Sequence, residues 1–585
     1  MGPPITFLWE HRRSLYMAAL ITRVVFALAG SGYMHPDEYF QGPEVLAEDV
    51  LGLKAFRAWE FNPEFPCRPI LIPSLLYGVP LYLLRAVYAL GSSLPLVSTV
   101  LPAGGIPSPW AIFFTERMSS LLLSFTLDLS LASLLREPDS RWIGLILLST
   151  SFPALTFLVR PFSNAQEASI LAGALALLCQ LQRSLSHSRK ITSSSGIILS
   201  PASVPLKTSL AFGALLGLGM FCRITFTAFA FPLGLGWLWI MTSHYRRSSI
   251  DLLSLLHLTS ATIGGIFSVS LLAVLADSLY YGSLVVEVVQ GGGKEGWGTT
   301  VQPVNLSMVV SLLPSLFTSF LSWIFPSSLL ESLPFISSSP GHVQVRGHAV
   351  LTPLNNLLYN MNVDNLSHHG LHPRWLHILV NAPLLLGPLS YMALRSLVRV
   401  RSRHLLRASL IPLIASGSSL FGLFFLSLAP HQEARFLLPA LVPTIFALVN
   451  GRSADRAPLQ RFSLGFWALW LTYGLALSTL FGWAHQGGIA RTAMWMGDQW
   501  RSAPSENEYT TGPPNGSLTL IFWKGYMPPR HLTGIPRGTS AVEIIDAGSK
   551  SGKEIISTLQ DLRIKGLCNF EPNETKDDKG TTGIG

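Results

Sequence analysis

The sequence predicts an all-α polytopic membrane protein, and three observations carry that prediction. Charged residues make up 12% of the 585-residue chain, where about 25% is usual for a soluble globular protein. Hydrophobic residues reach 49% and mean hydropathy is +0.41, so much apolar surface would lack cover in water. Apolar runs of spanning length recur along the chain, and lipid obliges each run to satisfy its own backbone hydrogen bonds, which selects helices. Roughly 10–13 membrane helices of about 20 residues each are expected, joined by luminal and cytoplasmic loops.

The first run, 14–32, has Arg23 inside it and basic residues before it, which suits a signal anchor entering from the cytosol. Further runs follow at 111–135, 142–159, 166–182, 208–222, 224–242, 253–276, 376–394, 408–428, 434–450 and 463–484. The Pro-interrupted segments 69–91 and 305–326 stay open between spanning, re-entrant and interfacial arrangements. Basic clusters lie between runs, at His11-Arg12-Arg13, Arg183 to Lys190, Arg246-Arg247, Arg395 to Arg407 and Arg452 to Arg461. That is the pattern of cytoplasmic loops. Placing every cluster in the cytosol puts a large loop (about 277–375), the stretch around 430 and a C-terminal segment (485–585) on the luminal side of a polytopic domain, 1–484. The signal anchor puts a first loop (about 33–68) there too, and parity in the first half closes only if 69–91 does not make a single crossing. The acceptor triplets at Asn305, Asn365, Asn515 and Asn573 all fall on that side. The C-terminal segment is expected to be a mostly irregular appendage.

The net charge of +9 and pI near 9.4 do not mark a nucleic-acid binder, because no long Lys/Arg stripe with interleaved aromatics is present. Neither CxxC nor HExxH occurs, so a structural zinc site or a zinc peptidase has no support; no cofactor is expected.

The densest polar motif of the N-terminal half is His35-Pro-Asp37-Glu38-Tyr-Phe-Gln41, just after the first run. Adjacent carboxylates at a membrane surface repel each other and resist desolvation, so they are solvated, metal-bound or used chemically. Glycosyl transfer needs one carboxylate to accept a hydroxyl proton and donors to stabilise a departing phosphate; Asp37 or Glu38 suits the first task. Glu44 and Glu48 follow at i, i+4, which reads as a surface amphipathic helix with exposed acids and a structural role.

Further polar islands interrupt the apolar runs: Arg160 to Glu167 with Asn164, the lone Arg223, Asp277 to Tyr281, Asn365 to Arg374, and His431-Gln432-Glu433-Ala-Arg435. Ionisable groups at membrane depth are functional candidates, or else buried ion pairs such as Arg160 with Glu167 and Glu433 with Arg435. His368 and His369 are adjacent and cannot easily face one ion, and Arg374 beside His372 favours phosphate over metal.

Several of these stretches together resemble glycosyltransferase family 22: His35 through Asp49, Leu354 to Asn360, His369-Gly-Leu-His372-Pro-Arg374, Asn381-Ala-Pro383, and His431 to Pro439. The resemblance implies a GT-C-type fold in the endoplasmic reticulum membrane with a luminal active site. It implies dolichyl-phosphate mannose as donor and, from the extended acidic run after His35-Pro-Asp37-Glu38, the Asn365 to Arg374 stretch and the late Phe522 to Arg530 stretch, the branch that adds a fourth mannose, α-1,2-linked, to a GPI precursor. On this resemblance Asp37 is the general base and Glu38 its partner. The expected substrate contacts are His35, Gln41, Arg160, Asn164, Glu167, His369, His372, Arg374, His431, Gln432, Glu433 and Arg435. No DxD motif is seen, as suits a lipid phosphate donor carrying a single phosphate. The alternatives are a family 22 enzyme for the third GPI mannose or the N-glycan precursor, a polytopic lipid transporter or flippase, and a non-catalytic assembly subunit. The absence of an internal repeat and the gathering of polar motifs at one membrane face weigh against a transporter.

Overall fold

The computed structural model describes residues 10–92, 106–195, 203–290, 341–367, 370–399, 410–450, 462–502, 518–539 and 542–564. Among them, seven helices are long and apolar enough to cross a membrane: Leu71–Leu90, Ser163–Ser186, Pro205–Cys222, Phe226–Arg246, Leu252–Tyr280, Leu410–Leu428 and Leu464–Trp500. Two shorter apolar helices, His377–Leu386 and Ala434–Val449, accompany them. The protein is therefore multi-pass and mostly helical, as the composition requires. The segment at 69–91, left open by the sequence, forms a helix of spanning length, whereas 305–326 lies outside the described residues.

The chain packs as two compact units, one of residues 1–28, 57–79 and 116–478 and a smaller one of 29–56, 80–115 and 479–585. In the larger unit the helices Ser203–Cys222 and Leu252–Tyr280 pack side by side through glycine. A Cβ on Gly213 would sit 1.9 Å from the Thr262 carbonyl oxygen, and one on Gly265 2.2 Å from that of Leu210. Gly213 and Gly217 stand at the small-xxx-small spacing that lets two backbones touch, since lipid gives helices no hydrophobic reason to associate. Arg23, the odd charge in the first apolar run, is buried and grips Asp128 bidentately at 2.5 and 3.2 Å.

Several expected spans are broken where local chemistry breaks them. The run 142–159 yields a helix only over Pro138–Ser149; Ser151 then caps a short turn, Phe152–Leu155, by accepting from the Ala154 N–H. In 376–394 the helix stops at Gly387, whose φ of 52° is left-handed and so favours glycine. Its missing Cβ also clears the Tyr473 ring, 2.8 Å away. Ala434–Ala440 winds as a tight 3₁₀ turn containing Pro439 before the α-helix Leu441–Val449 begins, consistent with a ring that cannot donate.

In the smaller unit the helix Asp37–Phe40 and the helix Pro43–Leu51 lie beside residues of the C-terminal segment. That segment corrects the expectation of an irregular appendage: its described part holds a parallel strand pair, Leu518–Trp523 with Val542–Ala547, and a closing helix, Gly552–Ile564. Ile535, Val542 and Ile544 form its core with Trp500, Leu520 and Phe522 around them. Two backbone hydrogen bonds, Lys54 N–H to Ile535 and Arg537 N–H to Gly52, each 2.7 Å, stitch the first loop to it.

Candidate functional site

The acidic loop begins where the first helix has ended at Ala29 and Pro36 caps the turn Asp37–Phe40. The two adjacent carboxylates are not equivalent. Glu38 is fully buried and accepts from the Met34 N–H at 3.3 Å, so it holds the loop to itself. The Asp37 side chain keeps 26% exposure, so it is the accessible one of the two. Gln41, one turn on, donates its amide to Asp37 Oδ2. His35 Nδ1 accepts the Asp37 N–H at 3.2 Å and lies 3.3 Å from Oδ1. The motif His-Pro-Asp-Glu-x-x-Gln thus closes on itself, with one oxygen of Asp37 oriented by Gln41 and the other beside an imidazole.

Beneath it, Glu44 is fully buried, which corrects the picture of a surface helix with exposed acids. Its carboxylate accepts from the N–H groups of Phe56 and Arg530, each at 3.0 Å, and pairs with His531 Nδ1. Glu48 stays partly exposed, 3.4 Å from Arg537, and Asp49 is exposed. Tyr33, whose hydroxyl donates to the Met527 carbonyl, packs edge-on against Tyr39 and Tyr526. Burial, reinforced by Tyr39 and the carboxylates of Glu38, Glu44 and Asp37, pushes the Tyr33 phenol well above its usual pKa, so it stays a neutral donor.

The larger unit holds a second polar cluster at the start of the long helix Ser163–Ser195. Ser163 Oγ accepts from Arg223 Nη1 at 2.8 Å and from Arg68 Nη1 at 3.5 Å. Each arginine has a carboxylate: Arg68 grips Glu60 at 2.5 Å, and Arg223 lies 3.4 Å from Glu167, which also accepts from Thr225 at 2.8 Å. Arg435 pairs with Glu433, and its guanidinium shares the Phe436 ring with that of Arg223, at 5.5 and 5.3 Å from the centroid. Arg68, Arg223 and Arg435 therefore gather around Phe162-Ser163 and Phe436, at a helix N-terminus whose dipole also favours an anion.

Next to Arg435, the loops 370–377 and 429–433 are bound into one piece. Gln432 is buried, its oxygen accepting from His377 N–H and its amide donating to the carbonyls of Ser427 and Ala429. With its polar atoms taken up by backbone, Gln432 orders the turn. The Gln432 N–H is accepted by His372 Nδ1, which places the proton of the neutral His372 ring on Nε2. His431 faces acceptors on both nitrogens, the Gly370 carbonyl at 3.1 Å and Glu433 at 2.8 Å. Burial alone would lower its pKa, but those two hydrogen bonds outweigh it and raise the pKa above the usual value.

A model of the Alg9-like mannosyltransferase family matches residues 14–291 and 300–533, nearly the whole chain. The chain belongs to that family. This Alg9-like mannosyltransferase is accordingly a glycosyltransferase, and its fold is the helical, multi-pass one expected from the resemblance to family 22. It is similar to the GPI alpha-1,2-mannosyltransferase 4 of Homo sapiens, with 31% identity over 95% of this chain and 82% of that protein. It is also similar to the GPI mannosyltransferase 4 of Aspergillus oryzae, with 32% identity over 94% of this chain and 83% of that protein. Among solved structures it is similar to the oligosaccharyltransferase of Archaeoglobus fulgidus, with 12% identity and a TM-score of 0.45 over 94% of this chain and 65% of that one.

Of the residues picked from the sequence of this Alg9-like enzyme, His35, Asp37, Glu38 and Gln41 come together in one loop, and His372, His431, Gln432, Glu433 and Arg435 in another pair of loops. The expected pair Glu433–Arg435 forms, and Glu167 lies beside Arg223. Arg160 and Asn164 are fully buried at the head of the long helix, and Arg374 is exposed with its carbonyl turned to Gln432. His369 lies outside the described residues, as do the acceptor triplet asparagines Asn305, Asn515 and Asn573; Asn365 is half-buried and donates to the Tyr359 carbonyl. Sequence reading left Arg68, Ser163, Glu60 and His531 off the site, and it recorded Arg223 only as an isolated charge. A lone arginine between two apolar runs was the available signal for Arg223, whereas Arg68 and His531 gave none. Among the described residues no group of three or more His, Cys, Asp or Glu is placed to hold a metal ion.

Proposed function

We propose that this enzyme is an inverting α-1,2-mannosyltransferase of GPI-anchor assembly. It would transfer mannose from dolichyl-phosphate mannose to the third mannose of the GPI precursor, at the luminal face of the endoplasmic reticulum membrane. The observation that carries the choice of substrate is the 31% identity with the human protein of that name, sustained over 95% of the chain.

The chemistry asks little beyond what the chain offers. The donor is a β-linked mannosyl phosphate and the product is α-linked, so one displacement at the anomeric carbon suffices and no covalent enzyme intermediate is needed. Asp37, oriented by Gln41, takes the proton of the acceptor hydroxyl as its oxygen bonds to the anomeric carbon. The bond from that carbon to the phosphate oxygen breaks, and dolichyl phosphate departs with the electron pair. Within the larger unit, the arginines around Ser163 are charge-assisted donors of the kind a phosphate takes, each guanidinium paired with its glutamate. Of the cations that the sequence offers for this role, His372, Arg374 and Arg435, the last lies in this cluster, with Arg68 and Arg223 beside it. Glu38 acts by fixing the loop.

Mass analysis of glycolipids after depletion of the enzyme tests the substrate. Accumulation of a three-mannose GPI precursor is expected. Truncated N-glycan precursors with intact GPI intermediates, or accumulation of a two-mannose GPI precursor, would move the enzyme to another reaction of the family.

A further inference from the structure

The large loop contains a helix that the catalytic chemistry does not use, Thr352–Met361. Leu351, Leu354, Leu357, Leu358 and Met361 are 40–70% exposed and line one arc, about a third of the helix circumference at 3.6 residues per turn. No charged residue occurs between positions 352 and 361. Water would be a poor solvent for that face, and a helix of ten residues would not span a bilayer.

The opposite side of the helix is fixed, and what fixes it says where the helix lies. Thr352 Oγ1 donates to Asp277 Oδ2 at 2.6 Å, and the Val350 N–H to Ser278 Oγ at 2.9 Å. Asp277 and Ser278 belong to the last turn of the apolar helix Leu252–Tyr280, so this short helix starts at the end of a membrane span. Asn355 donates to the Pro66 carbonyl at 2.9 Å, and Tyr359 stacks on Trp59 with ring centroids 4.1 Å apart. Trp59 and Phe65, on the segment that the helix grips, are themselves 42% and 43% exposed, and aromatic rings of that kind favour the headgroup level.

We propose that Thr352–Met361 is an interfacial helix, seated in the luminal leaflet at the boundary of headgroups and acyl chains, with Leu354, Leu358 and Met361 pointing into the lipid. It binds by apolar burial alone, because it carries no basic residue for anionic lipid to attract. Its rear face holds the 59–66 segment at that depth through Asn355 and Tyr359, so the loop bearing Glu60, the partner of Arg68, is fixed against the membrane surface.

The test uses the full chain in lipid nanodiscs, with nitroxide attached at Leu354→Cys, Leu358→Cys, Met361→Cys, Asn356→Cys or Asn360→Cys, each read against the unsubstituted chain treated alike. Collisions with oxygen, which concentrates in lipid, are compared with collisions with a water-soluble nickel chelate. The oxygen-to-nickel ratio is expected to be about threefold or more higher at 354, 358 and 361 than at 356 and 360. It should not change with the anionic lipid fraction or with salt. High nickel access at all five positions would place the helix in water and overturn the proposal. Low access to both reagents at 354, 358 and 361 would overturn it too, since that face would then be covered by protein, either another part of the chain or a second copy.

Discussion

Replacing Glu44 should loosen the bond between the acidic loop and the C-terminal segment, and the structure allows the size of the effect to be worked out. The carboxylate is fully buried and accepts from the N–H groups of Phe56, Arg530 and His531, at 3.0, 3.0 and 3.5 Å, besides pairing with His531 Nδ1. Glu44→Ala removes every one of these acceptors while leaving the donors enclosed. An unsatisfied buried donor costs about 1–3 kcal/mol and removal of one member of a buried pair about 3–5 kcal/mol; the donors here share one carboxylate, so about 3–5 kcal/mol is expected in all. Since 1.4 kcal/mol is tenfold, amide hydrogens in the peptides around Phe56 and Arg530-His531 should exchange roughly 100- to 4,000-fold faster. Hydrogen–deuterium exchange with mass detection reads this directly, with peptides of the helix Leu252–Tyr280 as internal controls. Glu44→Gln, which keeps one acceptor but turns a donor toward His531, should fall between wild type and Ala. Acceleration below tenfold in Glu44→Ala would refute the reasoning, because water or a neighbouring group would then be satisfying the donors.

Asp37→Asn keeps the shape of the side chain but cannot take a proton, so mannosyl transfer should fall about 10²- to 10⁴-fold while exchange protection in the first loop is preserved; near-normal turnover would remove Asp37 from the base role. Arg223→Lys retains charge but loses the planar fork that reaches Ser163 and Glu167 together, so the KM for the lipid-phosphate donor should rise more than kcat falls; an unchanged donor KM would take Arg223 out of phosphate recognition. His431 titrates above its ordinary value because of Glu433 and the Gly370 carbonyl, so the stability it adds is complete below its unfolded pKa of about 6.5 and is lost as pH rises through the higher folded value. Thermal unfolding scans from acidic to alkaline pH should show this loss in wild type and lack it in His431→Gln; parallel profiles would count against it. Gly213→Val places a Cβ where the Thr262 carbonyl already is, so the helix pair must separate and the unfolding midpoint of the detergent-solubilised enzyme should drop; an unaltered midpoint would show that the pair does not touch there.

The acidic loop was legible in the sequence because its partners are neighbours: Gln41 lies one turn from Asp37, and His35 two residues before it. The pair Glu433–Arg435 was legible for the same reason. Glu44 was misread as exposed because its i, i+4 relation to Glu48 carries no information about His531, 487 positions away. The run 142–159 was read as one span because hydropathy does not register where Ser151 caps and the backbone turns.

Composition and the length of the apolar runs alone determined that this chain is helical and multi-pass, because lipid offers no partner for a peptide group and a helix is the local way to supply one. The residue types in the first loop made a carboxylate its candidate reactive group. Tertiary structure separated the two neighbours, burying Glu38 and leaving Asp37 partly exposed. It also decided that Arg68 and Arg223 converge on Ser163, from positions 95 and 60 residues distant. Such convergence depends on how helices pack, and packing is set by close approaches such as Gly213 against Thr262 that no local pattern of charge or hydropathy records.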